Sequence, residues 1–312
     1  MPTCPTVDFG AQQGDTLPQA QSRGADLFIK HGCLLARNVF SPAYVAQLYD
    51  AYAENYQLYF QDRAFPDALR VGDKRTQITV DIKGPFNSPQ LYANPCIFPV
   101  LKTLLSERMI VGSVGSVVSL PGAQDQHVHR DHPALFERPD VYAAGEAVIP
   151  WLPPYAITVV VPLVPLNAIN GTTRVWPGSH LVRQSEARQL PYLDPVADVG
   201  DCLLMDYRLL HGGTANCSGN IRPILYNVYY RPWFRDTYNY SKQDPIQLSD
   251  DEYMRIPTEF RRLFDWQRQA ARSYVPASVG NAAQSPATPL RRNESCFCGS
   301  GRRYKECHGR PG

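Results

Sequence analysis

The stretch QHVHRDHPALF, residues 126–136, holds three of the chain's seven histidines within six positions, with Asp131 between two of them. Imidazole and carboxylate groups are common ligands of divalent transition metals. A His-x-Asp pair is weak evidence by itself, since seven His and twenty Asp in 312 residues give roughly 0.4 such pairs by chance. Placement strengthens it. On a strand, residues two apart share a face, so His129 and Asp131 would point together into one interior. The segment GDCLLMDYRLLHGG offers a third ligand, His211, which ends a strand before a Gly-rich turn. Two His and one carboxylate on one face of a metal leave the other face open, which suits non-haem Fe(II) working on dioxygen and a co-substrate. A 2-oxo acid could chelate such a metal while its far carboxylate meets a guanidinium. Arg222, eleven residues after His211, is placed for that charge-assisted pair.

These residues need a scaffold, and the hydrophobic pattern supplies one. SPAYVAQLYDAYAENYQLYF reads as an amphipathic helix, with Ser41 as N-cap, Pro42 at its first position and Val45, Leu48, Tyr49, Tyr52 and Tyr56 on one face. GCLLARNVF before it reads as a short strand. NPCIFPVLKTLLSE after it reads as a second helix, with Pro99 as its weak point. From Met109 onward MIVGSVGSVVSLPG, AITVVVPLVPL, GDCLLMDYRLLHGG and RPILYNVYYRPWF are β-rich segments bounded by Gly, Pro and Asn. Their spacing predicts a mainly β sandwich or barrel with flanking helices. IPTEFRRLFDWQRQAAR has a helical pattern whose Phe260, Leu263, Phe264 and Trp266 would dock on it.

The motifs HRDHP, NGTTRVWPGSH, GDCLLMDYRLLHGG and NIRPILYNVYYRPWF, in this order, resemble the phytanoyl-CoA dioxygenase family of Fe(II)- and 2-oxoglutarate-dependent oxygenases. The resemblance covers residues from about 24 to 238. It implies a double-stranded β-helix (a cupin-like jelly roll) with its core near 109–234, iron ligation by His129, Asp131 and His211, and Arg222 gripping 2-oxoglutarate. By the same resemblance Thr173, Gln77 and Gln126 are candidate co-substrate contacts, although His127 follows Gln126 here and Gly212 and Gly213 stand where many relatives carry Ser or Arg. Related halogenases lose the carboxylate, so Asp131 favours hydroxylation over halogenation, while desaturation, ring closure and endoperoxide formation use the same triad. His127 shares parity with the metal pair and is a candidate substrate contact. His132 reads as a turn group, His180 as a structural brace and His31 as a helix-end residue. RPDVYAAGEAVIPWLPPYAI is expected at the substrate mouth, with Tyr142, Trp151 and Tyr155 as walls.

The last segment is a separate constellation. Cys296, Cys298, Cys307 and His308, around a Gly-Ser-Gly turn, fit a tetrahedral structural zinc site in a piece too short to fold without a staple. It resembles the SEC-C motif from about Arg292 to Gly309. Arg302, Arg303 and Lys305 make it a basic module, and the resemblance implies a protein or ribosomal partner. Residues 275–292 read as a Pro-, Ala- and Ser-rich linker. The expected division is therefore an oxygenase domain over 1–274, the linker over 275–292 and the zinc knuckle over 293–312.

A formal charge of +2 with scattered basic residues gives no nucleic-acid footprint. Cys4, Cys33, Cys96, Cys202 and Cys217 lie singly and read as reduced, mostly buried thiols. The start lacks a basic-then-apolar leader and no long apolar run appears, so a cytoplasmic protein without membrane contact is expected. The expected function is an Fe(II)- and 2-oxoglutarate-dependent dioxygenase that oxidises a C–H bond of a small-molecule metabolite. Dioxygen and 2-oxoglutarate would be consumed, and succinate and carbon dioxide would leave. The alternatives are action on a protein side chain recruited through the zinc tail, and a non-enzymatic binding module, against which the intact triad argues.

Overall fold

The structure is a computed structural model that describes residues 3–10, 15–132, 135, 152–240 and 244–268. The chain divides into Met1–Arg268 and Gln269–Gly312, and every described residue lies in the first unit. Tyr142, Trp151, the linker at 275–292 and the tail ligands Cys296, Cys298, Cys307 and His308 lie outside the described residues.

In chain order the first elements are β1 (Thr6–Asp8), α1 (Leu17–His31), β2 (Cys33–Arg37) and α2 (Pro42–Tyr56). Then come β3 (Leu69–Gly72), β4 (Arg75–Thr79), α3 (Pro89–Tyr92), α4 (Phe98–Leu105) and the long β5 (Ile110–Ser119). The second half holds β6 (Ala156–Pro162), β7 (Thr173–Val175), α5 (Gln184–Ala187), β8 (Cys202–Asp206), β9 (His211–Gly213), β10 (Arg222–Tyr230) and α6 (Asp250–Arg255). Local chemistry explains the boundaries. Ser41 caps α2 by accepting from the Tyr44 N–H at 3.2 Å, and Pro42 follows where a missing N–H costs nothing. Pro99 lies in the first turn of α4, so it starts that helix rather than weakening it. Gly32 ends α1 with φ of 72°, a left-handed geometry that glycine adopts without strain. The His31 reading as a helix end holds. The IPTEFRRLFDWQRQAAR pattern opens as a 3-10 helix, Thr258–Leu263, and turns α-helical over 265–268. Its Leu263 and Phe264 are buried, with Phe260 and Trp266 packed beside them.

Eight strands form one sheet in the order β1-β2-β8-β6-β10-β5-β4-β3, and β7 pairs with β9 in a second, two-stranded sheet. Every pair is antiparallel except β1–β2. Period-two alternation gives the large sheet two functions. Ile157, Val159 and Val161 of β6 and Leu225 and Tyr229 of β10 pack into the core with Val45 and Leu48 of α2 and Leu101 and Leu104 of α4. The opposite parity, Thr158 and Val160 of β6 and Arg222, Ile224, Tyr226 and Val228 of β10, lines a cavity. This is the expected mainly β architecture with flanking helices. The five described cysteines are free, as expected, but fewer are buried than expected: Cys33 and Cys202 are buried, Cys4 and Cys96 half-buried and Cys217 exposed. Among the described residues, no helix is long and apolar enough to cross a membrane.

Candidate metal and co-substrate site

His129, Asp131 and His211 converge so that their candidate ligand atoms all lie within 4.8 Å of one another. The expected strand parity is not what brings the first two together. His129 makes an isolated bridge to His211 in an otherwise irregular segment. Each backbone N–H of this pair donates to the other's carbonyl at 2.9 Å. The Gln126 N–H reaches the Gly213 carbonyl at 2.7 Å, and the Asp131 N–H reaches that of Tyr207 at 3.1 Å. An irregular chain thus borrows its placement from β9 and the turn after β8.

Both imidazoles are oriented by one device. Nδ1 of His129 donates to the His127 carbonyl at 2.9 Å and Nδ1 of His211 to that of Leu209 at 3.0 Å. That fixes the tautomer and leaves Nε2 for a metal. Asp131 Oδ1 lies 3.3 Å from His211 Nε2, while Oδ2 accepts from Thr158 Oγ1 at 3.0 Å. Burial pushes His129 down to about 4, helped by the facing His211, so its ring is neutral near pH 7. Burial also opposes charge on His211, but the Asp131 carboxylate outweighs it and raises this imidazole. Burial likewise would raise Asp131, yet the two imidazoles and the Thr158 hydroxyl hold it below the usual carboxylate value. One neutral imidazole, one carboxylate and a second imidazole that binds a metal in its neutral form are a donor set suited to a divalent metal.

The cavity beside this cluster measures about 400 Å³. Arg222 and Arg75 both reach it, and both are almost fully buried, at 3% and 1% exposure. Neither forms an ion pair among the described residues. Register explains their closeness: Ser119 of β5 is the cross-strand partner of Arg222 on β10 and of Arg75 on β4. Arg222 Nη1 donates to the carbonyl of Thr214 at 3.2 Å, and Arg75 Nη2 donates to the same oxygen at 2.6 Å. Nε of Arg222 and both Nε and Nη1 of Arg75 are buried without partners. Desolvation pulls Arg222 down to about 9 and Arg75 to about 10. Two buried cations with unused N–H groups call for an anion. Gly213 matters here, because a Cβ on it would come within 2.9 Å of Arg75 Nη1.

Other sequence candidates separate. Thr173, Gln77 and Gln126 line the cavity, but the Gln126 amide is occupied, with Nε2 donating to the Val71 carbonyl at 2.8 Å and Oε1 accepting from the Gly213 N–H at 3.1 Å. His127 also lines the cavity, its ring 4.9 Å from that of His129. Tyr155 is buried against Phe234, its ring centroid 4.7 Å away, and is not among the cavity-lining residues. A large ring in an apolar strand start is core packing, not a mouth wall. His180 is buried, with Nε2 bonded to the Ile29 carbonyl at 3.1 Å, the structural role expected of it. His132 sits in a bend against Phe234 and Tyr238. Arg75 and Thr158 were missed. Parity could have found Arg75, because it stands two residues before Gln77 on one strand.

The profile of the family described as phytanoyl-CoA dioxygenase (PhyH) matches residues 28–224, and that of the SEC-C motif matches residues 292–310. The chain is 26% identical over 167 residues to dioxygenase af480 of Aspergillus fumigatus, covering 51% of this chain and 50% of that one. It is 31% identical over 105 residues to dioxygenase FrzG of a Cladobotryum species, covering 31% of this chain and 32% of that protein. The chain thus spans about half or less of the curated relatives it matches. Among solved structures, the non-heme alpha ketoglutarate dependent epimerase SnoN from nogalamycin biosynthesis superposes with a TM-score of 0.55 at 18% identity, covering 75% of this chain and 98% of SnoN. That likeness concerns the fold. The family profile spans most of the sheet together with all three clustered residues and Arg222, and the chain belongs to the phytanoyl-CoA dioxygenase family.

Proposed function

We propose that this protein is an Fe(II)- and 2-oxoglutarate-dependent dioxygenase that oxidises a C–H bond of a small molecule. The observation that carries the reading is the pairing of a two-His, one-carboxylate cluster with two buried guanidinium groups that keep unused N–H groups at one cavity. The relatives named as dioxygenases and the alpha ketoglutarate dependence of SnoN support it. His129, Asp131 and His211 would hold the metal, leaving positions for a chelating 2-oxo acid and for dioxygen. Bound iron would supply the oxidising chemistry, with 2-oxoglutarate leaving as succinate and carbon dioxide. The chain's own residues do the rest. Arg222 and Arg75 orient the far carboxylate, Thr173 and Gln77 border it, and Tyr226, Val228 and Tyr240 wall the space where a substrate would meet the metal. The test is succinate formation by the iron-loaded protein, screened against metabolite pools. No substrate-stimulated succinate from any pool would defeat the small-molecule reading.

Metal uptake should release a proton. His211 holds its proton above the ordinary imidazole value because of Asp131, and a metal takes only the neutral ring. Its charge is therefore present at lower pH and lost as pH rises through the raised value. Apparent metal affinity should climb with pH across the neutral range and fall on acidification. Calorimetry in buffers of different ionisation enthalpy reads the protons released. Uptake with no proton release and no pH dependence would contradict the ligand role of His211.

The tail reading extends this proposal: 1–274 as the oxygenase domain, 275–292 as linker and 293–312 as a zinc knuckle held by Cys296, Cys298, Cys307 and His308. The SEC-C match supports it. Truncation after Ser285 should leave turnover of a small substrate nearly unchanged and remove one tightly held zinc per chain, measured by elemental analysis. Turnover lost on a free metabolite would overturn the domain boundary. Turnover lost only on a macromolecule would favour a protein substrate delivered by the tail.

A further inference from the structure

We infer that Thr158 is a positioning residue that restricts Asp131 to one metal-binding oxygen and so keeps a coordination position free. The inference rests on the metal-site reading above. Asp131 is held at three atoms by three separate elements. Its N–H donates to the Tyr207 carbonyl at 3.1 Å, and its own carbonyl accepts from Asn239 Nδ2 at 2.6 Å. Its Oδ2 accepts from Thr158 Oγ1 at 3.0 Å, while Oδ1 is the oxygen beside His211 Nε2, at 3.3 Å. With the backbone pinned on both sides, the carboxylate keeps chiefly its side-chain torsions, and the Thr158 hydroxyl fixes those.

Thr158 is well suited to that function. It lies on the cavity face of β6 with 7% exposure, and its β-branched side chain is stiff at χ1. Its cross-strand partners, Val228 on β10 and Met205 on β8, offer the hydroxyl nothing stronger than a weak thioether acceptor to compete with the Asp131 carboxylate. The coordination count makes the effect chemical. Three ligands and a chelating 2-oxo acid fill five positions of an octahedral site, and dioxygen needs the sixth. A carboxylate released to bind through both oxygens would take that position. The metal would still be held, and the site would be closed to the oxidant.

The experiment uses Thr158→Val, which removes the hydroxyl at nearly constant shape, with Thr158→Ala as a second hydroxyl-free variant and Thr158→Ser as the conservative rescue. Nitric oxide on the anaerobic Fe(II) form is the probe, because it displaces the water from the position dioxygen would take and gives an EPR signal. With Fe(II) and 2-oxoglutarate, Thr158→Val should bind metal with little loss but give a much weaker nitric oxide signal than the wild type. In the iron form its turnover should fall about 10- to 100-fold, the scale of outer partners of metal ligands. The KM for 2-oxoglutarate should change little, since Arg75 and Arg222 are untouched. Thr158→Ser should restore spectrum and turnover together. If Thr158→Val fails to fold, Thr158→Ala with a wild-type melting temperature carries the same comparison. A hydroxyl-free variant with the wild-type nitric oxide signal and turnover overturns the role of Thr158 and leaves the metal site intact. A wild-type protein that takes up no Fe(II) overturns the metal site, and this inference with it.

Discussion

Replacing His211 by alanine should abolish both iron binding and turnover while the fold survives. The cluster has three ligands within 4.8 Å of one another, so losing one removes a third of the protein's grip and the closed chelate. Losing an outer partner of a metal ligand already costs about 10- to 100-fold in affinity or activity, and a direct ligand should cost more. Asp131→Ala should be as severe, and it leaves the two imidazoles, whose rings stand 4.4 Å apart, facing a cation without a counter-charge. The fold should tolerate His211→Ala because the backbone exchange with His129, not the side chain, joins the two segments. Anaerobic addition of Fe(II) and 2-oxoglutarate should give a visible charge-transfer band in the wild type and none in the variant. The same band in His211→Ala would remove this residue from the ligand set.

The structure shows which parts of this arrangement a reader of the sequence can reach. Ser41-Pro42 announced α2, and the runs of Val, Ile and Leu announced β5, β6, β8 and β10, because capping and burial on both faces leave local marks. His211 and Arg222 were legible since both lie at the ends of such runs. His129 and Asp131 share parity in the sequence, yet they meet through bridges to β9 and Tyr207, not through a shared strand. Such long-range pairing leaves no periodicity to read. Thr158 was hidden inside AITVVVP, where a hydroxyl looks like one more β-branched strand residue. Tyr155 misled for the converse reason. An aromatic beside a Pro-rich segment suits a mouth or a core equally, and burial at 2% decides for the core.

Arg222→Ala should raise the 2-oxoglutarate requirement tens- to hundreds-fold while leaving metal binding nearly intact. A hydrogen bond to a charged group contributes about 1.5 to 3 kcal/mol, and each 1.4 kcal/mol is about tenfold in affinity. Arg222→Lys should recover only part, because an ammonium cannot reproduce the flat two-pronged contact. Arg75→Ala should weaken the co-substrate as well. The two losses should not add, since both guanidinium groups donate to the Thr214 carbonyl and face one cavity. Stability gives an independent reading. Burial, together with the neighbouring Arg75 cation, has pulled Arg222 down to about 9, so each cation is a cost to the protein without an anion. The ligand-free Arg222→Ala protein should therefore melt no lower than the wild type. The wild type should gain stability on adding 2-oxoglutarate and the variant should gain much less, because a ligand stabilises only in proportion to its binding of the folded state. An unchanged co-substrate affinity in both alanine variants would place the anchor of the far carboxylate elsewhere in the cavity. A marked drop in the melting temperature of ligand-free Arg222→Ala would show instead that its carbonyl contacts hold the fold and that the cation is structural.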